Sequence, residues 1–403
     1  EVEKARNGLV VSSKTADNRT FTRRYDALWR LAGQVDPRTT TPVGSGATGE
    51  TTTTYHSGTA LVKEVKDAAG KRLTWKSYDT AGRVIYTEDA LSKTTRTAYT
   101  VRGEVDKVWG TGTYPVSYVY STYGERIKLR TYRDPTGAAN IDTTTFPNVG
   151  TADETTWEFD DYSGLLKKKI DAAGKFVSYT YNPRGQLATR TWSRGVVTSY
   201  AYDTYTGDQT GISYSDSTPS LTYTLDRLGR TTQITQAGTT TTIQTSLDHC
   251  VCGKVVTESF GAFFGNRVLD HVLNSVSDGN KGRTVGYGLS AGSTAEQTVS
   301  YGFDSYGRLN SVGTASTFSA ASHTFNYSYA ANSELIADLT VDSGHPFKIS
   351  RTYDGDRDLL TSIDATWSNV SRTKYAYTHD DLGRRQSVVQ SGDVFADYGG
   401  ADN

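Results

Sequence analysis

One short phrase returns along this chain and limits what it can fold into: an aromatic residue, Asp, two free positions, Gly, Arg, then an aliphatic residue. Its fullest copy is Tyr78-Asp79-Thr80-Ala81-Gly82-Arg83-Val84, and it returns as Phe303-Asp304-Ser305-Tyr306-Gly307-Arg308-Leu309. Looser copies are Leu225-Asp226-Arg227-Leu228-Gly229-Arg230-Thr231 and His379-Asp380-Asp381-Leu382-Gly383-Arg384-Arg385. Tyr25-Asp26-Ala27-Leu28-Trp29-Arg30-Leu31 keeps the opening but replaces the Gly. Partial copies open at Tyr99, Tyr120, Phe159, Tyr181 (with Gly185), Tyr202, Tyr329 and Tyr353 (with Asp354), and within the runs 78–120, 159–225 and 303–379 successive copies lie 21 to 26 residues apart. A period of about 20–50 residues marks an array in which each unit stacks on its neighbours.

The phrase has a mechanical reading as a hairpin. The aromatic residue closes one strand and packs inward. Asp opens a type I turn, where its side chain accepts a backbone hydrogen bond from two residues on. Gly supplies the positive φ of a bulge that restores the strand twist. The residue after Gly is expected to point outward, and the aliphatic residue after that inward, because strand side chains alternate. Between phrases, runs such as Lys175-Phe176-Val177-Ser178-Tyr179-Thr180-Tyr181 are rich in residues that suit a pleated, half-buried surface. A second turn signal falls mid-repeat, in Asp67-Ala68-Ala69-Gly70 and Asp171-Ala172-Ala173-Gly174. Each repeat is therefore two strands with a turn at either end, and no stretch carries a sustained helical period with caps.

Composition agrees with this reading. Hydrophobic residues make up 35% of the 403, which is low for a globular enzyme of this length, and Tyr (27) outnumbers Phe (12). A repeat array grows without dividing into separate cores, so residues 1–403 are read as one continuous ribbon, with irregular insertions at about 136–156 and 233–300. Within these, Glu258–Asn266 and Ser275–Thr284 read as longer loops, and the Thr/Gly-rich stretch Thr39–Thr54 as an enlarged turn. The tail Asp397–Asn403 reads as a linker or the opening of another repeat. Forty-three basic and 44 acidic residues are mixed along the chain, so there is no basic stripe for nucleic acid. No apolar run approaches the roughly 20 residues of a membrane span. The chain opens Glu1-Val2-Glu3 and contains no Met, which reads as a segment of a longer protein. Cys250 and Cys252 lie too close together to staple distant parts of the fold.

The Tyr-Asp-x-x-Gly-Arg-Leu phrase resembles the YD-repeat, or RHS-repeat, family, which includes bacterial RHS proteins, shell subunits of insecticidal toxin complexes, and teneurins. The phrases at 78–84, 225–231, 303–309 and 379–384 carry the match. The resemblance implies an all-β fold: an antiparallel hairpin ribbon that spirals into a hollow shell or barrel-like solenoid, secreted or at the cell surface. In the family such shells enclose a toxin domain or serve as a rigid extracellular body. Bacterial members often carry an Asp-Pro-x-Gly phrase near the end of the shell, after which cargo is cleaved. Asp134-Pro135-Thr136-Gly137 is an isolated match in the wrong place, so self-cleavage is not carried over.

Other clusters carry residue types suited to chemistry. Asp248-His249-Cys250-Val251-Cys252 gathers soft ligands, but zinc needs about four and usually a longer spacing, so two buried thiols are expected. Asp354-Gly355-Asp356-Arg357-Asp358 resembles part of a calcium loop without its downstream Glu, and reads as the repeat's own turn. Gly288-Leu289-Ser290-Ala291-Gly292 fits a hydrolase motif that requires a strand-to-helix elbow, and reads here as a Gly/Ser-rich turn. Gly44-Ser45-Gly46-Ala47-Thr48-Gly49 opens no helix and reads as a loop. His56, His249, His271, His323, His345 and His379 are scattered, with no motif joining one to a nucleophile. No catalytic, metal or cofactor residues are assigned. The expected function is a structural shell or filament segment, whose partners are flanking segments or further copies of the chain, an enclosed cargo or a surface glycan. Two alternatives remain: an adhesin presenting loops that bear Tyr and Trp (Trp29, Trp75, Trp109, Trp157, Trp192 and Trp367), and a polysaccharide-degrading enzyme on the same scaffold.

Overall fold

The computed structural model describes residues 1–15, 18–38, 49–132, 144–147, 150–237, 242–250, 253–274, 282–317 and 322–396. Its 32 strands run from β1 (Val2–Lys4) to β32 (Arg385–Ser391), and each pairs antiparallel with the next. Among the described residues the helical pieces are a 3-10 turn at Ala262–Phe264 and α1 (Asp393–Ala396). The expected all-β ribbon of hairpins is what the chain forms.

The phrase builds its hairpin as anticipated. In the copy at 78–84 the Gly82 N–H donates to the Asp79 carbonyl at 3.0 Å, and the Asp79 N–H to the Arg83 carbonyl at 2.9 Å. The ladder slips by one residue between Ser77 and Tyr78, so Tyr78 faces Val84. The same slip sets Tyr25 against Leu31, Leu225 against Thr231, Phe303 against Leu309 and His379 against Arg385. Gly82 takes φ 77°, where a Cβ would be strained, and the matching Gly185, Gly229, Gly307 and Gly383 take 76° to 82°. Trp29 holds that left-handed place with φ 62°.

Some expectations shift at their edges. Residues 258–260, expected as loop, complete the strand β22 (Val255–Phe260). The expected Gly/Ser turn at 288–292 is mostly strand: residues 288–291 end β24 (Thr284–Ala291), and only Gly292, at φ 59°, turns the chain.

In such a meander every turn from an odd to an even strand lies on one rim, and every even-to-odd turn on the other. The repeated phrase supplies the first rim. The ribbon is one layer thick, and the only buried hydrophobic residues among those described are Ala32, Val35, Ala68, Trp109 and Val341. Its accessible surface is 24193 Å². A compact monomer of its 43.9 kDa would expose roughly 15,000 Å². The low apolar content follows: a single sheet with two half-wet faces has little interior to fill.

The ribbon does not close into a barrel, since no ladder joins its first strands to its last among the described residues. It returns onto itself through side chains. Arg19 meets Glu334, 315 positions away, and Arg38 meets Asp358, 320 positions away. Lys71 pairs with Asp381 at 2.8 Å and Arg357 with Asp67 at 2.7 Å. In all four contacts a phrase turn of the late strands (330–335, 354–359, 380–384) sits on an opposite-rim turn of the early strands (15–19, 36–38, 67–71).

Candidate functional site

Two constructions carry the fold's chemistry: a clamp repeated between neighbouring hairpins, and the seam where the rims meet. The clamp starts inside the turn. Asp79 Oδ1 accepts the N–H groups of Ala81 and Arg83, both at 2.9 Å, while Oδ2 takes the Arg83 Nε–H at 2.7 Å. Asp26–Arg30, Asp226–Arg230, Asp304–Arg308 and Asp380–Arg384 repeat this at 2.7 to 2.8 Å. Where the fifth residue is not Arg, the first one changes to match. Ser121 donates its hydroxyl to Glu125 at 2.6 Å, Thr100 donates to Glu104, and Asn182 bonds Gln186 at 2.9 Å.

The arginine was expected to point outward, and this is corrected. It folds back on its Asp and lies over the tyrosine of the following hairpin, where the guanidinium–π attraction and the carboxylate act together. Arg30 sits 4.2 Å from the Tyr55 ring, Arg83 4.6 Å from Tyr99, and Arg308 4.3 Å from Tyr329. That tyrosine then bonds back. The Tyr99 hydroxyl donates to the Val84 carbonyl at 2.9 Å. Equivalent bonds of 2.6 to 3.0 Å leave Tyr25, Tyr55, Tyr78, Tyr120, Tyr181, Tyr202, Tyr329 and Tyr353. The acceptor is in each case an aliphatic residue of the preceding hairpin. The Arg384 side chain, in the last hairpin described, is 65% exposed, whereas Arg30, Arg83, Arg230 and Arg308 are 22–36% exposed.

Electrostatics follow the contacts. A hydrogen bond from the Arg30 side chain holds the Asp26 carboxyl below its ordinary value. For Asp79 and Asp226 the largest lowering comes from the backbone N–H of Arg83 and Arg230. Burial pushes Asp304 and Asp380 up, but hydrogen bonds from Arg308 and Arg384 outweigh it, and both end lowered. Burial raises the phenols of Tyr78, Tyr120, Tyr181 and Tyr329.

The seam encloses a cavity of about 330 Å³ between the early turns at Asp36, Asp67 and Ala68 and the late turns at 355–359 and 382–383. Arg357 fills its acidic side. Its side chain and that of Asp67 are 13% and 12% exposed, and its other nitrogens donate to the Asp380 and Asp381 carbonyls at 3.2 and 2.7 Å. Beside the seam Arg24 grips the fully buried Glu50 with both ends of its guanidinium, at 3.0 and 3.1 Å. Gly33 permits this, because a Cβ there would stand 1.7 Å from the Glu50 carboxylate. The segment Asp354–Asp358 is the repeat turn, as expected: Asp354 Oδ1 accepts from Asp356 at 3.0 Å and Arg357 at 2.8 Å. Its acids are already engaged, Asp354 by its own turn and Asp358 by Arg38.

The remaining candidates are not brought together. Ser290 lies on a strand that turns into another strand, so no elbow presents it. Cys250 is disulfide-bonded, which corrects the expectation of two thiols, since a bonded sulfur has no thiol proton. Cys252, residues 44–48, Asp134–Gly137 and the tail 397–403 lie outside the described residues. No group of three or more His, Cys, Asp or Glu side chains is placed to hold a metal among the described residues. Two histidine pairs escaped the sequence reading, His271 with Glu258 at 2.6 Å and His323 with Asp342 at 2.8 Å. The first joins residues on separate strands and the second joins a strand to the turn residue that follows Ile336–Val341, so chain spacing alone does not reveal them. Of the tryptophans, Trp109 is buried, and Trp29 and Trp367 are exposed.

No protein-family model matches the chain, and no curated protein does. Among solved structures, a TcdB2-TccC3-Cdc42 chain is 15% identical over 95% of this chain and 23% of its own, with a TM-score of 0.39. A chain of the Photorhabdus luminescens Tc holotoxin pore is 14% identical over 95% and 24%, with a TM-score of 0.32. A porin-like protein from Bacteroides uniformis is 12% identical over 58% and 92%, with a TM-score of 0.25. The chain thus spans less than a quarter of the first of these. Likenesses this loose say nothing of its role.

Proposed function

We propose that this chain is a stretch of a YD-repeat β-shell, an extracellular structural body whose work is to enclose rather than to catalyse. The seam carries the reading. A ribbon whose late phrase turns sit on its own early turns, at three successive places, winds about an axis and bounds a space. The surface surplus points the same way, because a wall one sheet thick exposes both faces. The clamps explain how such a wall stays stiff without a core, since a ladder joins each hairpin to the next and tyrosine hydroxyls or guanidinium groups reinforce many of those joins. Cryo-electron microscopy of the native particle tests the proposal. A hollow body with density inside is expected, and an open ribbon whose early and late turns do not touch would refute it.

A further inference from the structure

The pentapeptide Asp-Ala-Ala-Gly-Lys occurs twice on the opposite rim, at 67–71 and 171–175. The two copies fold alike. In each the first Asp accepts from the backbone N–H of the third and fifth residues, at 3.1 and 2.7 Å in one and 2.9 and 2.8 Å in the other. Their surroundings differ. Under the seam Asp67 and Ala68 are buried, at 9% and 7% exposure, and Lys71 pairs with Asp381. Every residue of 171–175 is exposed.

The turn that sits on the first copy has an acid at its second place and an apolar residue at its third, Asp381 and Leu382, and Leu382 lines the seam cavity with Ala68. Several other phrase turns carry an apolar residue at that third place and leave it in solvent, among them Tyr123, Tyr205 and Leu228. One of them also carries the acid: Asp160-Asp161-Tyr162, where Asp161 is exposed and Tyr162 is 100% exposed. That turn is one residue longer than 380–384: the Gly164 N–H donates to the Asp160 carbonyl four residues back, where the Gly383 N–H reaches the Asp380 carbonyl three back. Within one chain the same seat is thus seen docked and undocked, and an acid followed by an apolar residue is likewise seen docked and in solvent.

We infer that the turn 171–175 is a seat for the turn 160–164 of a second copy of this chain, with Asp161 against Lys175 and Tyr162 over Ala172. The contact reproduces between molecules the Lys71–Asp381 pair and the approach of Leu382 to Ala68, without the Arg357–Asp67 pair that also covers 67–71 within the molecule. The two rims are different surfaces, so the association is head-to-tail and can extend. This names a partner for the shell proposed above and rests on it only in taking rim-to-rim contact as the way the wall grows.

Sedimentation velocity of the full chain over a range of concentrations tests it. Wild type is expected to associate with rising concentration. Asp161→Lys or Lys175→Asp alone replaces an attraction with a repulsion and should weaken association by about tenfold. Tyr162→Ser should weaken it as well, and the chain with both charges reversed should associate again as wild type does. All these positions are exposed turn side chains away from the clamps. A chain that stays monomeric, or associates indifferently to the reversals, would overturn the inference. So would a glycan array in which Tyr162 binds sugar and Tyr162→Ser abolishes it. A native particle that is hollow yet unchanged by the reversals sinks the seat and leaves the shell standing; a particle without the seam sinks the shell.

Discussion

Tyr99→Phe isolates the clamp between hairpins. It removes one hydroxyl and leaves the ring under Arg83, so the cation–π contact at 4.6 Å persists while the 2.9 Å bond to the Val84 carbonyl is lost. A typical intramolecular hydrogen bond contributes about 1 kcal/mol net. The half-buried Val84 carbonyl keeps partial access to water, which holds the loss near that figure. In a repeat array each unit feels mainly its neighbours, so the loss is local. Unfolding of so long an array is not expected to be two-state, which makes a single melting midpoint a poor readout. Amide hydrogen exchange resolves the effect instead. A loss of about 1 kcal/mol speeds local opening about fivefold, and this should appear across residues 84–99 and fade beyond the adjoining hairpins. Tyr181→Phe and Tyr329→Phe should add to it, since they bond to Leu166 and Leu309 in hairpins remote from Tyr99 and share no partner with it. Tyr162→Phe is the control, because that ring stands fully in solvent. Unchanged exchange at 84–99, or an equal acceleration from Tyr162→Phe, would refute the clamp.

Gly82→Ala should destabilise its hairpin by about 1 kcal/mol, because a left-handed backbone strains any Cβ even where space allows. Gly288→Ala, in a strand with nothing near its Cβ, should leave exchange in its hairpin unchanged or slightly slower, whereas Gly82→Ala should speed it. The phrase aspartates have folded pKa values below the unfolded one, so their stabilisation is present above about pH 4 and is lost as pH falls through the lowered values. Circular dichroism should report loosening below that point, and Asp79→Asn should flatten the local dependence. The buried phenols shift the other way, upward, so their contribution is complete below about pH 10 and is lost as pH rises through the raised values. Absorbance of tyrosinate should therefore lag in the folded chain relative to the unfolded one. Arg357→Gln leaves Asp67 unpaired at the seam and should cost about 3 kcal/mol, read as faster exchange in 67–71 and 354–359. Added calcium should not slow exchange at 354–358 in the wild type, because Asp354 is already engaged by its own turn and Asp358 by Arg38.

What the sequence discloses is what a few neighbouring residues decide among themselves. The Asp-to-Gly spacing dictates the turn, and the left-handed φ at Gly82 and Gly307 follows from it. The strand alternation that puts Tyr78 opposite Val84 is likewise local once the bulge is counted. The arginine defeated that logic. Alternation says it faces water, but its long side chain reaches a carboxylate four residues back and a ring in the next hairpin, and neither attraction has a period. A signal did exist, in the matched first and fifth residues of the turns: Asp with Arg, Ser with Glu, Asn with Gln. The seam had none, because Arg357 and Asp67 are ordinary turn residues whose meeting depends on how far the sheet has twisted over the intervening strands.

The two Asp-Ala-Ala-Gly-Lys turns make the limit concrete. Sequence and local hydrogen bonds are the same in both, yet one lies beneath another turn and the other in water. Burial here is set by whether a second rim arrives, not by the residues that receive it. An array tied hairpin to hairpin can vary the outward residues of its rim turns at little cost in stability, since the cap and the Gly, not those side chains, hold the turn. Each is then free to serve as a joint wherever the winding brings a partner turn into register. The recurrence of the phrase therefore specifies the ribbon, and in the seat proposed above an acid and an apolar residue at the second and third places of a turn select the turn it meets. Asp381 and Leu382 show one such meeting. Asp161 and Tyr162 have the same chemistry with nothing against it, which is why the rims, rather than any cleft in the sheet faces, are where this protein's interactions are to be sought.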